Sequence, residues 1–158
     1  MAGKTVLALA ILFLSATAYG GGRSSAVALK IEAFKTGFRN CSRPTPEGTT
    51  SFWEVRQPDV EKIDEGLMIH LERTGLAKKL RNPPSTYGRQ YLGYNRGDRR
   101  FVYVNAFLRS SGDPKSKYQR WCDGGNLFWG IEYDMQQKVF TGFEIDGVLG
   151  DPLEGLKL

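Results

Sequence analysis

The sequence predicts an α+β fold: one long helix packed on a curved four-stranded antiparallel sheet. Three observations predict it. Val60, Ile63, Leu67 and Leu71 recur at intervals of three and four, the spacing of one helical face. From Tyr87 onward, apolar and polar side chains alternate, the period of a strand. Turn-forming strings, Asn95-Arg96-Gly97-Asp98 and Asp134-Met135-Gln136-Gln137-Lys138, then return each strand antiparallel to the one before it. A helix followed by a run of strands is the α+β order.

The chain begins with the grammar of a cleaved secretory signal peptide, Met1 to Ala18. Lys4 is the basic residue, Val6 to Ser15 is an apolar run broken only by Ser15, and Ala16-Thr17-Ala18 is a small-residue cleavage site. The run is shorter than the roughly 20 apolar residues of a membrane span, and no longer one follows. The expectation is therefore a secreted or periplasmic protein without a membrane span. In such a compartment Cys41 and Cys122, the two cysteines of the chain, pair most simply as one disulfide. Closing that loop is worth roughly 2–4 kcal/mol in the chain-entropy account.

The elements follow in order. Residues 19–57 form a Gly-rich leader and an N-terminal segment. Within it, Val27, Leu29 and Ile31 alternate like a strand, while Phe34 and Phe38 are spaced like a helix, so Ala26 to Phe38 stays open between the two. Arg43 to Thr50 is a linker of turn residues. Residues 58–158 carry the helix and the meander, and form one globular domain with 26–57. Pro58-Asp59 opens the helix, where a missing N–H costs nothing. Early acids and late bases (Arg73, Lys78, Lys79, Arg81) complement its dipole. Asn82-Pro83-Pro84 ends it, with Gly75 as an earlier stop. The strands are Tyr87 to Tyr94, Arg99 to Leu108, Leu127 to Tyr133 and Val139 to Ile145.

The helix covers only one sheet face. Val102, Val104, Leu108, Ile131, Val139 and Ile145 read as that face. The other carries Tyr91, Phe101, Tyr103, Phe107, Phe128 and Phe140, with Glu132 and Glu144 among them. Exposed aromatic patches mark contact surfaces, so these eight residues are the predicted binding site, for another protein or for a second copy in a homodimer. The competing reading is that Ala26 to Phe38 covers them.

Chemistry is sparsely marked. The +5 net charge reads as a solubility charge, and the bases around Arg96, Arg99, Arg100 and Arg109 as a solvated rim, so no nucleic acid is expected. His70, the one histidine, has no metal-ligand neighbours in sequence. No G-x-S-x-G, H-E-x-x-H or phosphate-binding loop occurs, so no catalytic residue, metal or cofactor is assigned. Glu132 and Glu144 on neighbouring strands leave a carboxylate-pair hydrolase as an alternative. A carrier, with a cavity lined by Trp129, Tyr133 and Phe143, is another.

The element order over Pro58 to Asp146 resembles the cystatin-like fold. The string from Trp121 to Asp134 (Trp-Cys-Asp-Gly-Gly, an aromatic strand, then Glu-Tyr-Asp) is similar to small exported bacterial proteins of obscure function. That resemblance implies export and fold, not an activity. Cystatin inhibitors use a Gln-x-Val-x-Gly hairpin, and Gln90-Tyr91-Leu92-Gly93 departs from it. The function expected is a non-catalytic exported binding protein, an inhibitor or immunity-type partner of an envelope hydrolase or toxin.

Overall fold

The computed structural model describes residues 25–36, 38–115 and 117–147. The predicted signal peptide and residues 19–24 of the leader lie outside them. The elements run β1 (Ala26–Ala28), β2 (Ser51–Trp53), α1 (Gln57–Arg73), β3 (Tyr87–Arg96), β4 (Arg99–Leu108), β5 (Phe128–Asp134) and β6 (Val139–Ile145), with short 3₁₀ turns between. The fold is α+β. Its sheet is mixed and six-stranded, not the four antiparallel strands expected, and it is open. β3, β4, β5 and β6 are sequential antiparallel neighbours. The free edge of β3 takes two short strands end to end: β1 parallel, from Ala26↔Arg89 to Ala28↔Tyr91, and β2 antiparallel, from Ser51↔Asn95 to Trp53↔Gly93. Each pairs over three residues: β1 takes the start of the strand-like alternation, which gives way to a 3₁₀ turn at Ile31–Ala33, and β2 is too short for alternation to reveal.

Helix α1 buries Val60, Ile63, Leu67 and Leu71, the predicted stripe. It stops at Thr74, where Gly75 turns left-handed at φ 73°, ahead of the Asn82-Pro83-Pro84 break. Its apolar face packs on Tyr87, Tyr91, Val102, Val104, Ala106, Trp129 and Ile131. No helix among the described residues is long and apolar enough to cross a membrane.

The opposite sheet face is covered. Leu29, Phe34 and Phe38 lie on Leu92, Tyr94, Phe101, Tyr103 and Tyr118 in a second core. Phe38 sits at its centre, its ring 5.6–6.1 Å from those of Phe52, Tyr94, Tyr103 and Tyr118. The Cys41–Cys122 disulfide closes one end of this cover. Beside it, the buried Arg43 donates to Asp146, Asn105 and the Tyr103 hydroxyl.

Three face assignments change. Tyr91 lies opposite Val104, on the helix side, and its hydroxyl donates to Asp64 of α1. Phe140 lies opposite Tyr133, also on the helix side. The cause in β6 is a bulge: the register shifts between Gly130 and Glu132 of β5, and Gly142 across from that step is left-handed at φ 62°. The extra residue lets Phe140 and Phe143 both face the helix-side core. It also sends Val139 to the other face, opposite Asp134.

Candidate functional site

The predicted aromatic site is filled from within the chain. Phe101 and Tyr103 lie under the N-terminal cover. Phe107 is fully buried, its ring 3.3 Å from where a Cβ on Gly88 would sit, and Phe128 is buried with the Trp121 ring 5.4 Å away. The face offered as one possible homodimer surface is thus covered, over these residues, from within the chain.

The two carboxylates go separate ways. Glu132 Oε2 accepts from the Tyr94 hydroxyl at 2.5 Å and from Arg96 Nη2 at 2.8 Å. Burial, then the Glu132 carboxylate, pushes the Tyr94 hydroxyl far above its ordinary pKa. Arg96 also donates to the Glu47 carbonyl and lies 4.7 Å over the Phe101 ring. Glu144 is exposed, opposite Gly130 and beyond the bulge. The structure joins Glu132 to Tyr94 and Arg96, not to Glu144. The carrier residues are divided too. Trp129 is fully buried, with Tyr87 and Phe143 rings 5.9 and 5.7 Å away, whereas Tyr133 opens onto the surface feature described next.

That feature is a groove of about 470 Å³ between α1 and the β5–β6 hairpin. Lys62, Gly66, His70 and Arg73 form one wall; Tyr133, Lys138 and Phe140 form the other and the floor. The helical residues fall at intervals of four, four and three, so they make one stripe beside the buried one. The rings of His70, Phe140 and Tyr133 form a row, at 5.1 Å and 4.7 Å spacing. Burial lowers the His70 pKa, so the imidazole is neutral at pH 7. Lys62, Arg73 and Lys138 stand around this row. None of them enters an ion pair among the described residues, and no carboxylate lines the groove. Ile69, 52% exposed, sits at the rim.

Two residues of the groove run against local preference. Gly66 lies in the middle of α1, where glycine costs about 1 kcal/mol relative to alanine. Packing does not require it: a Cβ there would meet Phe140 at 3.7 Å, an ordinary contact. Lys138 is left-handed at φ 56°, a conformation that glycine adopts at least cost. Its N–H donates to the Asp134 carbonyl at 2.8 Å, and its side chain lines the groove.

Of the groove, the sequence had singled out Phe140 as a binding residue, Tyr133 for a carrier and His70 as a lone histidine. It took Arg73 as a dipole complement and Lys138 as turn chemistry, and passed over Lys62 and Gly66. The available signal was a mid-helix glycine with a base four residues before it and a histidine four after. Compared with models of protein families, with curated proteins and with solved structures, the chain matches nothing.

Proposed function

We propose that the protein is an exported, non-catalytic binding protein on a cystatin-like scaffold, akin to the small exported bacterial proteins its Trp121–Asp134 string resembles. Its role is that of an inhibitor or immunity-type partner of an envelope hydrolase or toxin. The contact surface is the groove between α1 and the β5–β6 hairpin, in place of the covered aromatic face. The observation that carries this reading is the set of three cations, without ion pairs among the described residues, around a row of three rings. These exposed cations beside an apolar floor suit a complementary acidic surface. The Cys41–Cys122 disulfide supports an oxidising compartment.

The test is affinity capture from envelope and secreted extracts with the oxidised protein, using Lys62→Glu/Arg73→Glu as control. The expected result is one protein that binds the purified chain at equal stoichiometry in native mass spectrometry and is lost in the variant. Equal capture by the variant, or substrate turnover that depends on Glu132 or Glu144, would overturn the reading. Intact mass of the protein recovered from cells checks export, with a chain starting at Tyr19 expected.

A further inference from the structure

We infer that the groove receives a short acidic segment of a protein partner, with one apolar side chain lying on Phe140 between two carboxylates. This rests on the binding reading above and names the chemistry of the partner. Lys62 and Arg73, eleven residues apart on α1, lie to either side of Gly66 and His70 along the helix. Lys138 faces them from the hairpin. The cations thus bracket the Phe140 ring, and a ligand that satisfies all of them must carry negative charge on both sides of an apolar centre.

Helix electrostatics account for only part of the pattern. Arg73 in the last turn of α1 complements the dipole, but Lys62 lies in its first half, where a base gains nothing from it. Glu61, Glu65 and Glu72 are exposed elsewhere on the same helix, so the cationic stretch is bounded by acids. A long polyanion such as a nucleic-acid strand would run onto those acids, whereas a segment a few residues long would not.

Gly66 and Lys138 supply the second line of argument. They stand on opposite walls, and each is the less stable choice at its position. An alanine at 66 would favour the helix and place a methyl group above Phe140, where the proposed side chain lies. A glycine at 138 would relax the turn and remove a cation. Residues that oppose local stability and converge on one groove are the pattern of a site kept for contact.

The test is a set of amide-resolved NMR titrations of the oxidised protein with three capped peptides: Glu-Phe-Glu, Gln-Phe-Gln and Lys-Phe-Lys. Glu-Phe-Glu is expected to shift the Gly66, His70 and Phe140 amides saturably, with the other two at least tenfold weaker. Gly66→Ala and Lys138→Gly are expected to raise Tm while weakening Glu-Phe-Glu at least threefold. Because both variants favour the fold, loss of binding in them is not loss of structure. Equal binding of Gln-Phe-Gln, absence of shifts at the groove, or unchanged affinity in both variants would overturn the inference. If the captured partner is lost in Lys62→Glu/Arg73→Glu but the peptides bind without regard to charge, only the chemistry assigned here fails. If the peptides behave as expected but the partner persists in that variant, the binding reading fails instead.

Discussion

The hydroxyl of Tyr103 lies over Gly130 of the neighbouring strand, 2.0 Å from where a Cβ on that glycine would sit. From that place the hydroxyl accepts from Arg43 Nε at 2.9 Å and Asn40 Nδ2 at 3.0 Å. Gly130 is thus needed for space. Gly130→Ala is expected to displace Tyr103, break both bonds and cost about 2–3 kcal/mol. Urea unfolding checks it, and a cost under about 0.5 kcal/mol would contradict the argument.

Arg43 holds a buried carboxylate in check. Arg43→Ala leaves Asp146 buried without its counter-charge, at an expected cost of about 3–5 kcal/mol. Burial already raises the Asp146 pKa, and Arg43 opposes the rise. A carboxyl whose folded pKa exceeds its unfolded value takes its proton first in the folded state, so acidification favours that state. Removing Arg43 raises the folded value further. The stability gap between wild type and Arg43→Ala should therefore narrow from pH 7 to pH 5, as measured by urea midpoints.

The disulfide joins the cover to the loop before β5. Cys41→Ser/Cys122→Ser should lose about 2–5 kcal/mol. Hydrogen exchange should quicken first at Phe34 and in the second core, while the amides of α1 from Ile63 to Leu71 keep their protection. Uniform loss across both faces would show that the cover and the helix layer open together.

Asp134 anchors the second hairpin. Burial works against its charge, but the backbone N–H groups of Gln137 and Gln136, together with Arg99, outweigh it, so its pKa is lowered. The stability it contributes is present above the ordinary unfolded value near 3.9 and is lost as pH falls through the lower folded value. Asp134→Asn should be less stable than wild type at pH 7, with the difference shrinking below about pH 4.

The binding proposed for the groove should depend on pH through His70. It faces Lys62 and Arg73 on α1, Tyr133 on β5, Lys138 in the turn and Phe140 on β6. Burial keeps it neutral at pH 7, and its folded pKa lies below 6.5. Acidification adds a fourth cation to the groove while the carboxylates of Glu-Phe-Glu stay ionised above about pH 4.3. The affinity should rise on acidification below pH 6.5 for as long as the peptide carboxylates stay ionised, and His70→Gln should flatten the profile. The unfolded chain takes up this proton first, so the same acidification slightly lowers folding stability.

The helix face was legible because Val60, Ile63, Leu67 and Leu71 obey a period that nothing interrupts. The long β3–β4 hairpin was legible because alternation runs through Val102, Val104 and Ala106 to a turn at Gly97-Asp98. Phe140 was misplaced because alternation assumes an unbroken ladder, and one left-handed glycine at 142 adds a residue to β6. Tyr91 was misplaced because β3 carries aromatics on both faces: Tyr91 meets the helix-side core and Tyr94 the covered one. The cover could not be assigned because it rests on pairing Ala26 with Arg89, a contact between distant segments with no local signature. The groove was illegible for a related reason. Periodicity weighs apolar residues, so it picked out Phe140 and Tyr133 but not the Lys62, Gly66, Arg73 and Lys138 that share the groove with them.

The Arg43–Asp146 contact spans 103 positions of the chain, and β1 pairs with a strand made far later. These are among the costliest loops to close, and their reward comes only at the end. The clamp cannot form until the segment after β6 has emerged and turned back. Phe34 and Phe38 find their partners on β3, β4 and at Tyr118, more than 50 residues further along the chain. Refolding should show helix-side packing ahead of the burial of Phe38, with the interval between them the time when the chain is most prone to aggregate.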